Sequence, residues 1–229
     1  MAGRGFKIPE VLTREEQEAP LRQPNPRYPT GERNRLLLRV MLDTGLRLSE
    51  AINLRWRDLD FLTGRLHVKQ GKGAKDRVLW VGDELQELLR RWRERQAEVV
   101  GWAPEHVFTT LDGKPLQPRY VQYMVKRYAQ RAGITKNVHP HTLRHTFAID
   151  LLRETRNMRL VQKALGHANL ATTQIYTHIV DEELEAALKS FRETARITIE
   201  KRSTGKKETP VVAMVGQHGD NAGGVRAAA

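Results

Sequence analysis

Apolar residues recur at helical spacing from residue 32 to 43, where Leu36, Leu37, Val40 and Met41 share a face, and Thr44-Gly45 stops the pattern. A short helix is expected next, with Ser49 as its N-cap and residue 53 as its end, turning Leu48, Ile52 and Leu54 toward a core. Between residues 59 and 81 the period becomes that of strands. Phe61, Leu66, Val68, Val78, Trp80 and Val81 are the apolar positions, and Thr63-Gly64 and Gly71-Lys72-Gly73 supply two turns. Helical spacing returns over 83–100, where Leu85, Leu88, Leu89 and Trp92 form one stripe. It resumes at 117–132, after an Asp112-Gly113 turn, and then at 141–154, 159–165, 171–178 and 182–196. The predicted fold class is α+β, mainly helical, with a small three-stranded antiparallel sheet.

The flanks carry no such period. Residues 1–30 hold Pro9, Pro20, Pro24, Pro26 and Pro29 and read as an extended linker or arm. Past Lys201 the chain turns to Lys, Gly, Ala and polar residues, so 201–229 is expected to be a disordered tail. One folded domain over 31–200 remains, and no internal repeat is visible.

Charge adds a partner to this picture. Among 229 residues, 39 lysines and arginines face 27 acidic residues, for a net charge of +12. A pI near 10.2 points to a polyanion, either nucleic acid or an anionic membrane surface. The absence of cysteine excludes disulfides, thiolate metal sites and a cysteine nucleophile. Residues 1–7 lack a signal-peptide apolar run, and the longest apolar stretch, 36–42, is broken by Arg39 and too short to span a bilayer. The expectation is a cytoplasmic protein that meets nucleic acid, with no membrane partner.

Four segments carry candidate chemistry. In Thr44-Gly45-Leu46-Arg47-Leu48-Ser49-Glu50 an arginine sits beside a glycine turn, just ahead of a helix N-terminus, where an anion is well held. Gly71-Lys72-Gly73-Ala74-Lys75-Asp76-Arg77 is a basic hairpin tip whose glycines let backbone approach phosphate, although it is not a Walker loop. In His141-Thr142-Leu143-Arg144-His145 the spacing puts His141, Arg144 and His145 on one helix face. Two histidines four apart could chelate zinc, but Thr142 stands where a metalloprotease carries glutamate, and an arginine among them suits phosphate better. Last come Leu165-Gly166-His167 and Thr172-Thr173-Gln174-Ile175-Tyr176-Thr177-His178. Taken singly, each reads as ordinary surface or core.

Their order and spacing together resemble the tyrosine recombinase (phage integrase) family. The Arg-x-Ser-Glu box at 47–50 is followed by the lysine hairpin, His-x-x-Arg at 141–144, Leu-Gly-His at 165–167 and a tyrosine nine residues beyond His167. The resemblance runs from about residue 33 to 191. It implies that Arg47 and Arg144 clamp the non-bridging oxygens of a DNA phosphodiester, that His141 and His167 add hydrogen bonds, and that His141 can accept the tyrosine proton. Tyr176 would be the nucleophile of a 3′-phosphotyrosyl intermediate, and Lys72 the general acid, with Lys75 its rival. Glu50 would orient Arg47 or the lysine loop, while Lys75 and Arg77 would contact DNA.

The resemblance implies no metal and no cofactor. It implies double-stranded DNA as partner and a tetramer on two DNA sites, docked through 182–196, in the nucleoid. Members of the family commonly carry an N-terminal helical domain that closes round the DNA. Only the proline-rich stretch precedes residue 31 here, as in a piece of a longer enzyme or a compact variety. Three other readings compete. A non-catalytic DNA-binding module of the same fold would tolerate loss of Tyr176 or an arginine. A type IB topoisomerase shares the tyrosine chemistry but lacks the Leu-Gly-His box at this spacing. A zinc hydrolase would rest on His141 and His145 and be abolished by EDTA.

Overall fold

A computed structural model describes residues 10–69 and 76–166. The chain divides into two compact units, Met1–Leu184 and Glu185–Ala229, and the described residues all belong to the first. The described elements are α1 (Arg14–Leu21), α2 (Pro29–Thr44), α3 (Leu48–Ile52), a 3-10 turn (Trp56–Asp58), β1 (Leu59–Asp60), β2 (Arg65–Val68), β3 (Arg77–Trp80), α4 (Asp83–Val100), α5 (Pro118–Arg131), α6 (Pro140–Thr155) and α7 (Met158–Leu165). The mainly helical fold with a three-stranded antiparallel sheet, in the order β1-β2-β3, is the one expected. The hairpin tip at 71–73 and the helices expected at 171–178 and 182–196 lie outside the described residues.

Helix α2 is the spine. Pro29 begins it, where a missing N–H costs nothing. Gly45 ends it in the left-handed conformation, φ +60°, donating its N–H to the Met41 carbonyl. Leu36, Leu37, Leu38, Val40, Met41 and Leu42 are all buried, so α2 is apolar nearly all round, as befits a helix between α4 on one side and α6 on another. Helix α4 is amphipathic: Leu85, Leu89, Trp92 and Gln96 face inward. The Gln96 amide is saturated, accepting from Trp56 Nε1 at 3.0 Å and donating to Thr109 Oγ1 at 2.9 Å. That network ties the loop before the sheet to the loop after α4 without an unpaired buried polar group. Asn157 caps α7, accepting from the Leu160 N–H at 3.1 Å, and Gly166 ends it at φ +66°.

Three expectations need correction. The stretch taken as an extended arm contains α1, begun by a Thr13–Glu16 capping box, with Leu12 and Leu21 buried in the core. Eight residues with two apolar anchors make no readable period, so caps and tertiary contacts hold this helix. The short helix starts two residues earlier than expected: Arg47, not Ser49, is its N-cap, and Glu50 at the third position accepts the Arg47 backbone N–H at 2.8 Å. In β3 two of the three apolar residues, both expected to face a core, point away from it. Val78 and Trp80 are exposed, and Arg77 and Leu79 point inward. Register decides this: Leu66 pairs with Leu79 and Val68 with Arg77, so one face takes an arginine into the interior.

Candidate active site

The inward arginine of β3 meets the arginine box. Arg77 grips the Glu50 carboxylate with two parallel hydrogen bonds, Nη1 to Oε1 at 2.9 Å and Nη2 to Oε2 at 2.8 Å. Arg47 donates to the same carboxylate from Nη1 at 2.8 Å, in addition to its backbone N–H. Arg144 Nη1 stands 4.0 Å from Glu50 Oε2. Four hydrogen bonds occupy all the acceptor directions of the carboxylate. Burial pushes the Glu50 carboxyl upward, but the Arg77 bonds, then the Arg47 backbone N–H and the nearby charges, outweigh it and bring its pKa down to about 2. Glu50 is therefore a fixed anion among three guanidiniums, and it has no proton to give at neutral pH.

The same arginines cap the end of α7. Arg77 Nε donates to the Ala164 carbonyl at 2.8 Å, Arg144 Nη2 to Leu165 at 2.7 Å and Arg47 Nη2 to Gly166 at 3.4 Å. Consecutive carbonyls of a helix C-terminus lack intrahelical partners and carry partial negative charge, so cations are the fitting caps. Arg144 also donates to the Gly45 carbonyl at 2.5 Å. Segments around residues 47, 77, 144 and 165 are thus drawn to one point. There three positive charges face one negative.

Exposure differs among the three. The side chains of Arg77 and Arg144 are each 5% exposed, whereas that of Arg47 is 35% exposed. Arg77, expected among the DNA contacts, is instead enclosed by protein partners. His141 lies in the first turn of α6, three residues before Arg144, and is exposed. Partial burial, then the charges of His139, Arg144 and Arg47, hold its pKa below the usual histidine value. His145, one turn on, is pushed down to about 4 by burial, then by His141 and Arg144. Both rings are neutral at pH 7. Among the described residues, no three His, Cys, Asp or Glu side chains converge as metal ligands do. Lys72, Lys75, His167 and Tyr176 lie outside the described residues.

Sequence reasoning missed a neighbouring surface. A groove of about 440 Å³ opens beside His141, lined by Arg119, Gln122, Tyr123 and Lys126 of α5, together with His139 and Leu48. Its signal was available: positions 119, 122, 123 and 126 form one helix face with two cations and an aromatic, and Tyr123 is 64% exposed there. Among the described residues no helix is long and apolar enough to cross a membrane.

Comparison with known proteins gives a consistent result. A tyrosine recombinase XerC from Xanthomonas axonopodis pv. citri (strain 306) is 42% identical over 190 residues, covering 83% of this chain and 61% of that protein. A solved XerH site-specific recombinase, bound to a palindromic difH substrate in a post-cleavage complex, superposes with a TM-score of 0.72. It is 32% identical, over 84% of this chain and 56% of that one. A XerA recombinase structure gives a TM-score of 0.69 at 30% identity, covering 81% and 66%. The chain spans less than two thirds of the length of the first XerC proteins it matches. Its residues 10–183 match the phage integrase family, and with the arginine box, the His-x-x-Arg helix and the fold in agreement, the chain belongs to that family.

Proposed function

We propose that the chain is the catalytic part of a site-specific recombinase that cleaves and rejoins double-stranded DNA through Tyr176. The observation that carries this reading is the meeting of Arg47 and Arg144, from opposite ends of the domain, around Glu50 and the α7 carbonyls. Three guanidiniums against one carboxylate leave two positive charges in a partly enclosed site. A phosphodiester in transit through a pentacoordinate state gathers negative charge on its non-bridging oxygens, and fixed donors stabilise that charge without reorganising. Arg47, the more exposed of the two, would approach the phosphate first.

In this reading the Tyr176 hydroxyl oxygen attacks phosphorus, and its proton passes to neutral His141. The bond from phosphorus to the 5′ oxygen breaks, and Lys72, or Lys75 beside it in the hairpin, supplies the proton to that oxygen. His167 follows Gly166, whose carbonyl Arg47 holds, and would add a donor to the phosphate. Rejoining is the same sequence reversed with another strand's 5′ hydroxyl, so the bond energy is conserved in the phosphotyrosine. Duplex flanking the phosphate would lie along the α5 groove, where Arg119 and Lys126 meet backbone charge. As the family resemblance of the sequence implies, the protein would work in the nucleoid as a tetramer on two sites, docked through 182–196.

The test is an SDS-stable protein–DNA adduct on nicked suicide duplexes, enriched by this protein from a randomised pool, in the presence of EDTA. The expected result is an adduct with the unmodified chain and none with Tyr176→Phe. Duplex binding without an adduct on any substrate would replace this reading with that of a binding module of the same fold.

A further inference from the structure

Arg77 has no place in the chemistry above, yet it makes the two-pronged contact with Glu50 and is enclosed to the same degree as Arg144. Its guanidinium uses both Nη atoms on the carboxylate and Nε on the Ala164 carbonyl, and its side chain is 5% exposed. Those three bonds join three separate stretches of chain. Arg77 itself opens β3, immediately after the lysine hairpin; Glu50 belongs to the arginine box; Ala164 sits at the end of α7, three residues before His167. Phosphate cannot reach it without displacing Glu50. A buried guanidinium on a strand otherwise set by Leu66–Leu79 pairing is retained against its desolvation because the fork saturates a buried carboxylate.

We propose that Arg77 is a positioning residue: it locks Glu50 so that Arg47 keeps its geometry, and it fixes the hairpin strand and the α7 terminus against the arginine box. It acts through Glu50 and Ala164, not on DNA. The inference rests on the recombinase reading. Its geometry demands a planar fork, which lysine cannot supply.

The experiment compares Arg77→Lys, Arg77→Gln, Glu50→Gln and the Arg77→Gln/Glu50→Gln pair in the full chain. Single-turnover cleavage of the enriched nicked duplex is measured at saturating protein, alongside duplex Kd and its salt dependence, at a temperature where circular dichroism shows each variant folded. Cleavage is expected to fall about tenfold or more in Arg77→Lys and further in Arg77→Gln, with Kd within about threefold and an unchanged salt slope. The double variant is expected to be no more than about threefold slower than Arg77→Gln, because the two residues act as one unit. A higher Kd with a salt slope reduced by about one would mark Arg77 as a phosphate contact and overturn the proposal. Cleavage within about threefold of the parent would overturn it too, as would failure of both Arg77 variants to fold at any temperature, which would make the residue merely structural. If the parent itself forms no adduct, the recombinase reading falls first and takes this one with it; loss confined to the variants separates the two.

Discussion

Arg144 donates from Nη1 to the carbonyl oxygen of Gly45, a contact that spans 99 residues of chain. The carbonyl is presented because Gly45 leaves the helical conformation at the end of α2, and the arginine reaches it from the second turn of α6. One glycine thereby ends a helix, precedes the arginine box and receives an arginine of the candidate site.

Gly45 should therefore resist even the smallest side chain. A Cβ there would lie 2.3 Å from Phe147 Cδ1, on a residue at φ +60°. Gly45→Ala is expected to cost about 2–4 kcal/mol, the left-handed penalty plus overpacking. Urea unfolding measures it, and Phe147→Leu in the same chain should recover the packing part alone. An unchanged midpoint would show that neither cost is present.

Glu50→Gln removes the anion at the centre of the arginines. Two buried guanidiniums lose their charge partner, so a loss of about 3 kcal/mol is expected in chemical denaturation. The acid limb should change with it. A carboxyl held near pKa 2 in the fold and near 4.5 unfolded contributes stability that is complete above pH 4.5 and is lost as pH falls toward 2. That part of the stability–pH curve should flatten in Glu50→Gln, and an identical acid limb would contradict the assignment.

His145 sets an earlier acid transition. Its pKa is lowered to about 4 in the fold against 6.5 unfolded, so the unfolded chain takes up the proton first. Stability is full above pH 6.5 and declines as pH falls through that window toward 4. Melting temperatures recorded from pH 7 to 4 should fall, and His145→Asn should reduce the slope. A variant with the parent's slope would assign the decline to another group.

Arg156 is the one non-glycine with positive φ among the described residues, at +51°, where it closes α6. Arg156→Gly relieves a left-handed side chain at a helix end and should stabilise the domain by about 0.5–1 kcal/mol. A lower melting temperature would show instead that the arginine side chain contributes more than the strain it carries.

On α5, Arg119→Ala and Lys126→Ala should each weaken duplex binding at all sequences and lower the salt slope by about one. Replacements at Gln122 and Tyr123 should change sequence preference at unchanged slope. Fluorescence anisotropy over a salt series distinguishes the two classes, and four neutral effects would remove the groove from the interface.

Local chemistry made much of this legible in the chain itself. The stripe of α4, the run of α2 and its stop at Gly45 follow from side chains within a turn of each other, although the cap of the next helix falls at Arg47 instead of the expected Ser49. The arginine box and the His-x-x-Arg helix could be recognised because spacing within each is short. Tertiary structure alone decided the rest. Alternation in β3 is equally consistent with either face, and the pairing of Leu66 with Leu79 sends Arg77 inward and Trp80 to solvent. Helix α1 forms because Leu12 and Leu21 find the core, not because eight residues prefer to be helical. Which partner a buried arginine meets depends on chain folded back from far away, 27 residues for Arg77 with the Glu50 carboxylate and 21 for Arg144 with the Leu165 carbonyl. Periodicity fixes what a residue's neighbours on its own element are; the partner that makes a buried charge tolerable is set only when distant elements pack.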